Sequence, residues 1–76
     1  MARFEYMICA AQLMHLTFVN DEWQGMLPPN AAGALDTCPN LWDFLQEVGA
    51  SGWELVAVNT TEEEALTTLY LKRQIG

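Results

Sequence analysis

Residues 41–58 read LWDFLQEVGASGWELVAV, and a change of period inside this stretch decides the fold. Leu41, Phe44, Leu45 and Val48 recur at i, i+3, i+4 and i+7, the stripe of a helix laid on a core, while Asp43, Gln46 and Glu47 point away. Thr37 or Asn40 can cap the start, Pro39 is tolerated in the first turn, and Gly49 or Gly52 can take the left-handed position at the end. Trp42 stands at the edge of the stripe. From Trp53 the period drops to two: Trp53, Leu55 and Ala57 face one way, Glu54, Val56 and Val58 the other. Apart from Glu54 both faces are apolar, so this strand seeks cover on both sides.

On the C-terminal side a second strand, ALTTLYLKRQ, sets Leu69, Leu71 and Arg73 against Thr68, Tyr70 and Lys72. Glu62, Glu63 and Glu64 join the two strands as a solvated turn, and Thr61 with Glu64 has capping-box spacing. On the N-terminal side RFEYMICAAQL alternates Phe4, Tyr6, Ile8 and Ala10 with Arg3, Glu5, Met7, Cys9 and Ala11, the second set turning from charged to apolar. The chain continues extended through Leu16, Phe18 and Val19 until Asn20 and Asp21 supply turn chemistry. Either Glu22 to Gln24 return as a short hairpin or a loop begins there. The Pro- and Gly-rich GMLPPNAAGALD reads as a packed surface loop.

The expected fold is therefore α+β: residues 1–76 as one domain, a mainly antiparallel sheet of three to four strands packed against one helix. One helix covers one face. With Met7, Cys9, Val56 and Val58 assigned to the other, the expectation is a homo-oligomer, most simply a dimer, whose interface those four residues form. In a chain of 76 residues the entropy of ordering nearly cancels the gain from apolar burial, which favours added burial against a partner.

Three cations against ten carboxylates give a net charge of −7, which opposes direct binding to nucleic acid. An acidic surface could instead imitate nucleic acid toward a basic DNA- or RNA-binding protein; a plain solubilising coat is the commoner use of such charge. No apolar run reaches membrane-spanning length, and Glu5 interrupts what a secretory signal would need, so the reading is cytoplasmic with two reduced thiols, Cys9 and Cys38.

Three stretches, RFEY, LWDFLQEVGASGWELV and LYLKR, stand in an order that resembles a small family of bacterial and phage domains of unknown function, marked by F-E-Y, G-W-E-L-V and L-K-R. The resemblance covers the first strand and roughly residues 41–73; residues 20–36 depart from it. It implies a strand-helix-strand-strand domain and carries over no catalytic residue. Occurrence in phages suggests sequestration of a small anionic signal or blocking of a host protein.

Reaction chemistry is not expected. His15 is the sole histidine and reads as a structural strand residue, and neither cysteine has a CxxC partner or an evident orienting group. No cofactor or metal is expected, since no cluster has ligand spacing. Binding is better served: Trp23 in a polar turn and Tyr70 are amphipathic rings suited to a ligand or partner contact. An antiparallel first and last strand would also bring Arg3, Lys72 and Arg73 to one edge as a modest anion site, unless Glu5 and Glu54 pair with them.

Overall fold

The computed structural model describes residues 1–63 and 65–76; the Glu64 part of the turn and capping-box readings lies outside them. Among the described residues there are five strands, β1 (Phe4–Gln12), β2 (His15–Val19), β3 (Glu22–Trp23), β4 (Glu54–Thr61) and β5 (Leu66–Gln74), and one α-helix, α1 (Leu41–Ala50). The strands form one sheet in the order β3-β2-β1-β5-β4, with every neighbouring pair antiparallel. The α+β class is as expected, and the sheet has five strands where three to four were expected.

The additional strand comes from a turn that carries no turn residues. Leu13 and Met14 both adopt positive φ, 49° and 67°, in a two-residue connection that pairs Gln12 with His15. This is the backbone of a type I′ hairpin, a conformation in which Asn-Gly is the common solution. Asn20 and Asp21 repeat it with φ of 48° and 69°, now with suitable residues, and Glu22–Trp23 do return as a short strand.

The helix begins as the sequence suggests. Asn40, not Thr37, is its cap: its Oδ1 accepts from the Asp43 amide at 3.2 Å. Thr37 instead holds the preceding loop, its Oγ1 donating to Ala34 O at 2.6 Å and accepting from the Met26 amide at 3.0 Å. At the far end Gly52, φ +94°, takes the left-handed position; Trp53 N donates to Val48 O and Gly52 N to Gly49 O, each at 3.0 Å, the paired bonds of a Schellman motif.

The core lies between α1 and one sheet face, and its composition reverses one expectation. Met7, Cys9, Ala11, Leu16, Leu69 and Leu71 are buried with Leu41, and Phe44, Leu45, Val48 and Trp53 pack against them. Register explains the side: Met7 pairs with Leu71 and Cys9 with Leu69, and directly opposed residues share a face, so all four meet the helix. Met7 and Cys9, assigned above to an uncovered interface, are interior. Phe4, Tyr6 and Ile8 lie on the open face in their place and are exposed.

A second correction concerns β4. A bulge between Leu55 and Ala57 breaks the alternation, so that Leu55 pairs with Leu71, Ala57 with Tyr70 and Val58 with Leu69. Val58 therefore sits on the helix side, beyond the helix, while Val56 occupies the bulge. Both remain exposed, and so does every other residue of β4.

Candidate functional site

The surface that stands out is the part of the sheet that α1 leaves bare, comprising an open face and one free edge. On the face, β1 contributes Phe4, Tyr6 and Ile8, and β5 contributes Tyr70 and Lys72 opposite Ile8 and Tyr6. Tyr6 is 68% exposed and Ile8 50%. Lys72 Nζ lies 4.9 Å from the centre of the Phe4 ring, so even the cation of this face rests on an aromatic. Farther along, Phe18 and Trp23 pair across β2 and β3 with ring centroids 5.4 Å apart, edge to face.

Trp23, expected as a free contact, is half-buried and tied inward. Its indole N–H donates to Leu27 O at 2.7 Å, and its ring lies so close over Gly25 that a Cβ there would fall 2.6 Å from Cζ2. It anchors the loop after β3 while closing one end of the aromatic face. Tyr70 lies on that face opposite Ile8 and is 39% exposed.

The three cations reach the same end of the sheet, as the antiparallel arrangement required, but they divide between its sides. Arg73 turns to the helix side, where its guanidinium lies 4.7 Å over the Trp53 ring and bonds the Glu5 carboxylate, with Nε donating at 2.6 Å. A further bond runs from Nη1 to Ser51 O at 3.3 Å. Lys72 stays on the open side, opposite Glu54. Arg3 extends the ladder through its backbone, giving its N–H to Gly76 O and accepting from Ile75 N, each at 2.8 Å. The arrangement gathers no three-cation cradle, and both acidic pairings set against it in the sequence occur as an ion pair or a cross-strand register.

The histidine and the two cysteines are at least partly buried. His15 is half-buried, with Nδ1 3.3 Å from Cys38 O, in a segment bridged to Asn40. Burial pushes the Cys9 thiol up to about 11 and raises that of Cys38 as well, so neither tends toward thiolate at neutral pH. Among the described residues no group of His, Cys, Asp and Glu converges to hold a metal, no cavity is present, and no helix is long and apolar enough to cross a membrane.

The free edge is β4. The opposite edge, β3, is two residues long, whereas β4 runs for eight. It contains no proline or lysine, and of the usual devices that blunt an edge strand it has only the bulge at Val56 and the charge at Glu54. Trp42, 63% exposed, and the Leu13–Met14 turn add large apolar groups near the start of the helix, where Leu41 N donates to Met14 O at 2.8 Å.

No protein-family model matches the chain, and no curated protein or solved structure shows significant similarity to it. The family resemblance thus rests on F-E-Y, G-W-E-L-V and L-K-R alone.

Proposed function

We propose that the chain is a non-catalytic binding module that works as a homo-oligomer and offers the aromatic face of its sheet to another protein. The observation that supports this most is the amount of apolar sheet left bare. The isolated chain exposes 5344 Å², whereas a compact monomer of its mass exposes about 4,650 Å². Its radius of gyration, 13.2 Å, likewise exceeds the roughly 11.4 Å expected for this length. The excess of about 700 Å² is close to the ~800 Å² that one partner contributes to a stable interface.

The face suits a protein better than a small anion. Phe4, Tyr6, Ile8 and Tyr70 supply exposed apolar area with two tyrosine hydroxyls, the chemistry of interaction hot spots, while Arg73 is engaged on the other side of the sheet. Light scattering over a concentration series tests the assembly. A mass that rises to twice that of the chain supports it, and a constant monomer mass up to high concentration refutes it. Titrating salt separates this reading from nucleic-acid mimicry, because a mimic loses affinity for its basic partner steeply as ionic strength rises.

A further inference from the structure

We infer that the free edge of β4 is where a second copy of this chain docks, strand against antiparallel strand, joining two five-stranded sheets into one and leaving both aromatic faces open. The inference rests on the homo-oligomer reading above and assigns its contact surface.

Hydrogen-bond alternation identifies the groups that would pair. Asn20 N donates to Ile8 O at 2.8 Å and Asn20 Oδ1 accepts from Ile8 N at 2.9 Å, so the main chain of Ile8 points toward β2. Its neighbours Met7 and Cys9 then point toward β5, where they meet Leu71 and Leu69. Between those two, Tyr70 points the other way, toward Ala57, and Thr68 toward Asn59. In β4 itself the residues between these rungs, Val58 and Thr60, aim their N–H and C=O groups outward, where no strand among the described residues pairs with them.

Several features fit a second copy as the occupant. The edge is self-complementary, because antiparallel pairing of a strand with itself sets the same outward groups against each other and closes as a two-fold dimer. The edge is long enough for the pairing, since all eight residues of β4 are exposed. The helix side also gains, since Val58 and Leu55, which α1 does not reach, acquire neighbours across the new strand pair. Charge opposes the contact mildly: antiparallel docking brings Glu54 of one copy toward the Glu62–Glu63 end of the other, so salt should tighten this dimer.

The test compares the full wild-type chain with Val58→Pro, Thr60→Pro and Ile8→Lys by sedimentation equilibrium. Proline at an outward position removes no hydrogen bond within the monomer but takes a donor from the edge. Each proline variant should weaken the dimer by about 100-fold with its circular dichroism unchanged, while Ile8→Lys, on the open face, should leave association within about three-fold. Amide exchange in the wild type needs no variant. Val58 and Thr60 should slow by about ten-fold or more as concentration passes through the dissociation constant, with Ala57 and Asn59 protected throughout. A wild-type dimer whose Val58 and Thr60 amides exchange freely, or one dispersed by Ile8→Lys and not by the proline variants, overturns the edge assignment and leaves the homo-oligomer standing. A wild type that is monomeric at every concentration overturns both.

Discussion

Cys9 provides a test of which side of the sheet is covered, the point on which the open aromatic face depends. The side chain is 1% exposed beneath α1, and burial raises its thiol from 9.0 to about 11. A higher pKa in the folded state means that folding holds the proton more tightly than the unfolded chain does. The contribution to stability is therefore complete below about pH 9 and is lost as pH rises through about 11. A shift of this size corresponds to about 3 kcal/mol, a sizeable share of the ~5–15 kcal/mol that holds a small domain together. Urea unfolding from neutral pH to about pH 11, on the wild type and on Cys9→Ala, isolates the effect, because every other group is common to both proteins. The variant starts lower, having lost buried sulfur, but should show the shallower decline by about 2–3 kcal/mol. A thiol reagent should meanwhile label Cys9 only through unfolding. Parallel declines together with rapid labelling of the native protein would place Cys9 in water and Phe4, Tyr6 and Ile8 under the helix, leaving no aromatic surface for a partner to bind.

Replacing Leu13-Met14 by Asn-Gly should stabilise the chain by about 1–2 kcal/mol in urea denaturation, since both positions hold positive φ that branched or long side chains resist; no gain would mean that the turn is not of this type. Gly52→Ala should cost about 1–2 kcal/mol in the same assay, because φ of +94° ends the helix there; a Cβ meets Arg73 only at ordinary distance, 3.5 Å, so the loss is conformational and Gly52→Asn should recover part of it.

What could be read from the sequence followed from how strongly each pattern excluded its alternative. The stripe Leu41, Phe44, Leu45 and Val48 admits one period, and the helix formed where it predicts. In β5, Leu69 and Leu71 alternate with Thr68, Tyr70 and Lys72, and the leucines went inward. In β1 both faces are apolar, so alternation alone could not choose between Ile8 and Cys9. The deciding information was the register with β5, which no local pattern encodes. The small size of Cys9 and Ala11, which lets a helix sit close, was the available hint. The bulge at Val56 has no proline or glycine to announce it and reversed the parity of everything after it. The hairpin at Leu13-Met14 was hidden for a similar reason, because the chain there adopts a turn that its own residues disfavour.

A fold with so thin a core should be stabilised by its own concentration. Among the described residues the buried core is small, chiefly Met7, Cys9, Leu16, Leu41, Leu69 and Leu71, whereas Tyr6, Ile8, Leu13, Met14, Trp42, Val56 and Val58 are each more than half or about half exposed. If burial between copies supplies part of what the core lacks, unfolding releases two chains from one dimer, and the midpoint must depend on mass action. Each tenfold rise in concentration above the dissociation constant then adds about 1.4 kcal/mol per dimer, or about 0.7 per chain. For a domain of this size that raises Tm by about 3–5 °C. Differential scanning fluorimetry or calorimetry across two decades should show the trend in the wild type and its absence in Val58→Pro. A midpoint independent of concentration in a protein that light scattering finds dimeric would mean that the dimer comes apart below the unfolding transition, so that the thin core holds each chain by itself.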